Sequence, residues 1–194
     1  MQALRILTDP DGLDMSPRRL NVSTVGIIPG IKKLTHSFPQ VNLAFSLHSP
    51  FEAQRSRIMP VNKTNPLPDV FQALDEHAEA TKRKIFIAYL LLEGENDSDE
   101  HAKAVVDWLV HRRPKHLRHL YHVNLLRYNP MGLTDLEVEQ FARTGRDTVE
   151  RFKQQLQHGG VRHLTLRQSF GLDIDAACGQ LFAKYEAKKV RNST

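Results

Sequence analysis

Short apolar runs rich in branched side chains alternate along this chain with stretches of helical period. The runs near residues 20–25, 41–47, 84–91, 121–127 and 161–168 read as strands, because each is brief, dense in Val, Ile, Leu and Phe, and bounded by turn residues. Between them, Val70, Phe71, Leu74 and Ala78 share one helical face, and Ala102, Val105, Val106, Leu109 and Val110 share another. A longer helix is predicted over Asp135–Leu156, with Phe141, Val149, Phe152 and Leu156 turned inward and Gly159-Gly160 ending it before the last strand. This is the pattern of βα units. The fold class it predicts is α/β, with about five parallel strands and covering helices. A closed eight-stranded barrel usually needs roughly 250 residues, so an open, partial (β/α) barrel forming one domain over residues 1–194 is expected instead.

Composition changes this picture only at its margins. With 194 residues and 40% hydrophobic content the chain has enough apolar mass for a sizeable core. Its 27 basic and 22 acidic residues leave a net charge of +5, which suits a phosphate-bearing partner without requiring one. One cysteine cannot form an internal disulfide. Met1–Arg19 is interrupted by Asp9, Asp11 and Asp14 and does not read as a signal peptide, and no apolar run reaches the roughly 18 residues of a membrane span. A cytoplasmic protein with no membrane partner is the expectation.

In parallel α/β sheets ligands gather at the carboxyl ends of the strands, so the residues there carry most weight. The first strand ends in Val22-Ser23-Thr24-Val25-Gly26, where hydroxyls before a glycine let backbone approach a polar ligand; Ser23 reads equally as a cap or turn residue. The second ends in Ser46-Leu47-His48, and alternation puts Ser46 and His48 on one face, with His48 either orienting a ligand or serving as a hydrogen-bonded histidine at the core edge. Asn129-Pro130 closes the fourth strand as a turn that aims the Asn129 amide toward the sheet mouth. Cys178 stands on the apolar face of a predicted helix, either as a small hydrophobe or, about one turn into the helix, as a thiol activated by the helix dipole. Arg112, Arg113, Lys115, His116, Arg118, His119 and His122 read as a solvated basic loop with phosphate contact second. Arg55 to Lys63 reads as a helix end and proline turn that could also grip RNA phosphates.

The order of these segments is more specific than any one of them. VSTVGIIPGI, VNLAFSLHSP, RSRIMPVNKTNPL, EGENDSDEHA, HVNLLRYNP and GLDIDAACGQL together resemble the carboxyl-terminal portion of the radical S-adenosylmethionine adenine-C2 RNA methyltransferases, the RlmN and Cfr type, over nearly the whole chain. The resemblance implies methylation of adenine in 23S ribosomal RNA, and in part in transfer RNA. It implies S-adenosylmethionine held by Ser23, Ser46, Leu47, His48 and Asn129, a [4Fe–4S] cluster, and a catalytic Cys178 that is itself methylated. A carbon-centred radical formed on that methyl group then adds to the electron-poor C2 position.

The chain also departs from the family. Its single cysteine excludes the C-x-x-x-C-x-x-C cluster loop and the second, resolving cysteine, so the chain offers no cluster ligands and no metal site. The accessory domain, the first two barrel strands and the glycine–glutamate–proline cofactor motif of the family have no counterpart in this sequence. Val25 stands where a serine is common, Ala88 where a glutamate is common, and Phe170 and Leu172 where an arginine and an acidic residue usually precede the last motif. Three readings follow: a truncated or divergent methyltransferase inactive by itself, a noncatalytic remnant that binds RNA or nucleotide, or a half-enzyme completed by a cluster-bearing partner chain.

Overall fold

The computed structural model describes residues 1–129 and 141–167; Cys178, Phe170, Leu172 and the helix expected around the cysteine lie outside these. Five strands form one sheet in the order β1-β2-β3-β4-β5: β1 (Asn21–Thr24), β2 (Asn42–Ser46), β3 (Ile85–Leu91), β4 (Tyr121–Arg127) and β5 (His163–Leu166). Every adjacent pair is parallel, so all five expected strands are present with their carboxyl ends on one side. Among the described residues α1 (Gln2–Leu7) precedes β1, and five further α-helices lie between strands: α2 (Ile28–Ser37), α3 (Glu52–Ile58), α4 (Leu67–Thr81), α5 (Asp99–Val106) and α6 (Arg146–His158). None of the described helices is long and apolar enough to cross a membrane.

Helix placement follows local chemistry. Leu67, Val70, Phe71, Leu74 and Ala78 recur along the buried face of α4, and Lys82 ends that helix in a left-handed conformation at φ +53°. The hydroxyl of Ser98 accepts the His101 amide to cap α5, whose first turn carries Asp99 and Glu100 toward the positive end of the helix dipole. A π-helical turn over Asp107–His111 then carries Trp108 and Leu109 into the core. Trp108 stacks on Phe71 with ring centres 4.8 Å apart, and Phe45 meets Phe71 edge-on at 5.8 Å. Each of these side chains contributes about 1.5–3 kcal/mol by leaving water.

One expected helix is shorter than its periodicity suggests. Of the segment predicted over Asp135–Leu156, the part before residue 141 lies outside the described residues, and residues 141–145 are not helical, the helix running from Arg146. Residues 141–145 are diverted into other contacts. Arg143 forms an antiparallel bridge with Leu92, the Thr144 hydroxyl donates to the Asp97 carboxylate at 3.0 Å, and Gly145 is extended. Val149, Phe152 and Leu156 do face inward, while Phe141 sits edge-on to Tyr128 with ring centres 6.2 Å apart. At the other end Gly159 caps α6, where a Cβ would overlap the Val106 side chain, so a glycine is needed for α5 and α6 to approach.

The two faces of the sheet differ. Along β3, Ile85, Ile87, Tyr89 and Leu91 are fully buried in the main core cluster, whereas Phe86, Ala88 and Leu90 on the opposite face are half-buried. Strand register aligns that second face into rows: Ser23, Ala44, Phe86, His122 and His163 form one, and Ser46, Ala88, Asn124 and Thr165 form the next toward the carboxyl ends. β1 is an edge strand. Beside it, α1 buries no residue fully, and the exposed large hydrophobics among the described residues, Met1, Ile6, Leu13, Met15, Val25 and Ile27, all fall within residues 1–27.

Candidate functional site

Four hydrogen-bonded devices shape the carboxyl ends of the strands. After β1 the Thr24 hydroxyl accepts the amides of Gly26 and Ile27 at 3.1 and 3.2 Å, which makes Thr24 the turn-forming residue. Gly26 has φ +105°, and a Cβ there would come within 3.1 Å of Val70 and 3.2 Å of Phe45. The turn is therefore a glycine turn for both conformational and steric reasons. Ser23 is left exposed on the half-buried face, with a hydroxyl that has no partner among the described residues. Its reading as a cap or turn residue is corrected accordingly.

The second device is Arg55. The sequence reading offered Arg55 to Lys63 as a grip for RNA phosphates, and for Arg55 the structure overturns this. Its side chain is 0% exposed and turned inward under the mouth. Nε donates to the Leu47 carbonyl at 3.0 Å, Nη2 to the carbonyls of Val25 and Ser46 at 2.9 Å each, and Nη1 to Asn62 Oδ1 at 2.6 Å. The planar guanidinium also lies 5.1 Å over the Phe45 ring. One side chain thus ties the ends of β1 and β2. Burial lowers its pKa to about 10, which leaves it cationic at neutral pH. Its helical position, shared with Phe51 and Ile58, was the available sign that it faces inward.

That cation acts on the candidate ligand residue beside it. Leu47 is fully buried and continues the ladder through its amide to the Ala88 carbonyl, while Ser46 and His48 on either side are half-buried, as alternation predicted. His48 takes φ +53°, a left-handed conformation that costs a non-glycine residue on the order of 1–3 kcal/mol. Its Nδ1 accepts the Leu90 amide at 3.1 Å. Burial first, and the charge of Arg55 second, lower its pKa to about 4. The ring is therefore neutral at pH 7 with Nδ1 accepting, which assigns the proton to Nε2, and that N–H has no partner among the described residues.

Asn96 is the third device and was not singled out from the sequence. Fully buried, it donates from Nδ2 to the carbonyls of His48 at 2.6 Å and Leu90 at 2.7 Å, and accepts the Leu92 amide on Oδ1 at 2.7 Å. Tyr89 donates its hydroxyl to the Asn96 carbonyl at 2.8 Å. These bonds hold the strained His48 backbone against β3. The fourth device lies after β4, where Arg127 donates to the Thr144 carbonyl and Asp97 accepts from the Thr144 hydroxyl. Two residues beyond Arg127, Asn129 is half-buried, and its Oδ1 is enclosed without a hydrogen-bond partner. Ser23, Ser46 to His48 and Asn129 thus occupy the same end of β1, β2 and β4, as expected.

The basic segment before β4 is more structured than a solvated loop. Arg113 is 8% exposed, pairs with Asp75 at 2.6 Å and stacks 4.7 Å from the Phe71 ring, while Arg112 lies 4.3 Å over Trp108. Arg118 donates to the Arg113 carbonyl, and His116 contacts Glu79 at 2.8 Å. His122 sits on β4, hydrogen-bonded to Thr165 at 2.8 Å and stacked near His163. Among the described residues no group of three or more His, Cys, Asp or Glu is placed to hold a metal ion.

Comparison with known proteins bears on what this end of the sheet serves. No protein-family model matches the chain. It is 49% identical over 188 residues to the ribosomal RNA large subunit methyltransferase Cfr of Bacillus velezensis, covering 96% of this chain and 52% of that protein. It is 50% identical over 184 residues to Cfr of Staphylococcus aureus and 52% identical over 182 residues to Cfr of Lachnoclostridium phytofermentans, in each case spanning 51% of the relative. The structure of a radical SAM methyltransferase from Sphaerobacter thermophilus superposes with a TM-score of 0.81 at 36% identity, over 93% of this chain and 49% of that one. A domain of a pyruvate-formate lyase-activating enzyme from Bacteroides vulgatus shares the fold alone, with a TM-score of 0.54 at 16% identity over 76% of this chain. The chain spans about half the length of the curated relatives it matches.

Proposed function

This chain is a homologue of the Cfr-type ribosomal RNA methyltransferases over about half of their length, and from that kinship we propose that it forms the cofactor-facing half of an adenine methyltransferase site acting on RNA in the cytoplasm. The observation that supports this reading best is the presence, on β1 and after β2 and β4, of polar atoms without a partner among the described residues: the Ser23 hydroxyl, the His48 Nε2–H and the enclosed Asn129 Oδ1. A donor, an acceptor and a hydroxyl able to do either fit S-adenosylmethionine, whose ribose and amino-acid groups need both. When bound, that cofactor would supply the methyl group. Ser23, Ser46 to His48 and Asn129 would hold it, and Cys178 would be the carrier of the methyl group destined for adenine.

A [4Fe–4S] cluster does not fit this chain. Its thiolate ligands cannot come from one cysteine. The cluster ordinarily anchors one end of the cofactor in proteins of this kind, so affinity for S-adenosylmethionine here is expected to be weaker than about micromolar, or weaker than roughly −8 kcal/mol. Calorimetric titration measures that affinity, and amide NMR reports where the cofactor sits. Shifts at Ser23, Ser46 to His48 and Asn129 that vanish in Asn129→Ala are expected. Micromolar or tighter affinity, or no shift at these residues with millimolar cofactor, would contradict the reading.

The apolar edge supports a second reading, in which this half is completed by a polypeptide segment bearing the cluster loop. Among the described residues no strand pairs with β1 on its outer side, and Val25 and Ile27 are exposed at 39% and 43% beside it. A parallel strand added there would cover both. Sedimentation velocity with hydrogen exchange tests this. The chain alone is expected to self-associate, and a monomer with rapidly exchanging Leu20–Val25 amides would show that the edge is tolerated uncovered.

A further inference from the structure

Three arginines gather at the rim where β3 and β4 meet the start of α6. Arg127 donates from Nε and Nη2 to the Thr144 carbonyl at 3.2 and 2.9 Å, so its guanidinium lies against the residue before the helix N-cap. Arg143 is fixed by its backbone bridge to Leu92, and its Nε is enclosed without a hydrogen-bond partner. Arg146 is the first residue of α6 and is exposed. Because its guanidinium is bonded to Thr144, Arg127 stands beside the segment that carries Arg143 and Arg146, and burial first and then their charges disfavour its cation.

This arrangement is unfavourable by itself. Like charges repel, and here they stand at the positive end of a 13-residue helix whose N-cap, Gly145, offers no side-chain cap and has open space around its Cα. Among the described residues no carboxylate is paired with any of the three. Among the described residues the acids nearby are Asp97, which is 7% exposed and occupied by the Thr144 hydroxyl and the Gly94 amide, Asp147 in the first turn of α6, and Glu93, whose amide donates to the Ala142 carbonyl and whose exposed carboxylate is in no ion pair with the three. An anion would relieve the repulsion, engage the free arginine donors and meet the uncapped amides.

We propose that Arg143 and Arg146, steadied by Arg127, form a contact site for the phosphodiester backbone of the RNA substrate. The site lies on the rim two residues from Asn129, where phosphates flanking an adenine presented to the strand ends would pass. It rests on the RNA-modifying reading above.

Binding of the full chain to a synthetic adenine-containing RNA hairpin, followed by fluorescence anisotropy over a series of salt concentrations, tests it. Each lost phosphate contact should make the slope of log K against log salt shallower by about 0.7–0.9. Arg143→Gln and Arg146→Gln are each expected to show that change, whereas Arg151→Gln, on the same helix but paired with Asp99 at 3.1 Å, should leave the slope as in the parent. Without RNA, Arg146→Gln should raise the unfolding temperature, because it removes a repulsive charge and breaks no contact. Salt-dependent binding by the parent that neither variant changes, an equal change in Arg151→Gln, or a lowered unfolding temperature in Arg146→Gln would overturn this site while leaving the RNA-modifying reading intact. Absence of any RNA binding by the parent would overturn both.

Discussion

Replacing Arg55 with alanine removes the one side chain that bonds the ends of β1 and β2 together. Four acceptors would lose their donor: the buried Leu47 carbonyl and Asn62 Oδ1, and the partly buried carbonyls of Val25 and Ser46. Hydrogen bonds to a charged group are worth about 1.5–3 kcal/mol each when a partner is deleted, but the same deletion ends the cost of keeping a guanidinium out of water. The net loss is set by the orphaned acceptors and should be about 3–5 kcal/mol, a large share of the stability of a domain this size. The same change withdraws the smaller of the two causes that depress His48. Its pKa should climb only part of the way from about 4, because burial is the larger cause and stays. Urea unfolding of Arg55→Ala and Arg55→Lys, with an NMR titration of the His48 ring, measures both effects. Lysine should restore the positive charge that acts on His48, and so its low pKa, but only part of the stability, since an ammonium cannot reach all four acceptors in one plane. A loss below about 1 kcal/mol, or an unmoved His48, would refute the assignment of Arg55 as the organiser of the mouth.

Three further outcomes are expected. His48 and His77 both have folded pKa values of about 4, lowered first by burial, so the unfolded chain takes up protons that the folded one refuses. Stability should therefore fall as pH drops from the ordinary histidine value near 6.5 toward about 4. Urea midpoints that stay level over that window in the parent, or that fall just as steeply in His48→Gln/His77→Gln, would contradict this. Gly159→Ala should destabilise by about 1–3 kcal/mol through overlap with Val106, and Val106→Ala in the same chain should recover part of it; thermal melts that find the two changes additive would exclude the contact. Anaerobic reconstitution with iron and sulfide should leave the chain without a [4Fe–4S] cluster, and stoichiometric iron with charge-transfer absorbance would show that cysteine count misjudges the ligand set.

Much of the architecture was legible in the sequence because periodicity is a local property. A short branched run and a 3.6-residue apolar repeat each report on residues adjacent in the chain, and the five strands and the face of α4 formed where those signals stood. That Ser46 to His48 and Asn129 follow the carboxyl ends of β2 and β4, on the same side of the sheet, was equally legible, since the strands run parallel. Local signal failed where a distant partner outbid it. Residues 141–145 carry a helical pattern but pair with Leu92 and Asp97, and α6 begins later for that reason. Arg55 looks like a surface cation until the carbonyls of Val25, Ser46 and Leu47 converge on it from two strands, and Asn96 looks like a turn residue until His48 and Leu90 close around it. The sequence alone determined the strands, the residue types at their ends and the lack of cluster thiolates. Only the tertiary structure decided which polar groups are consumed in holding the mouth together and which have no partner among the described residues, because a hydrogen bond between residues far apart in the chain leaves no periodic trace in it.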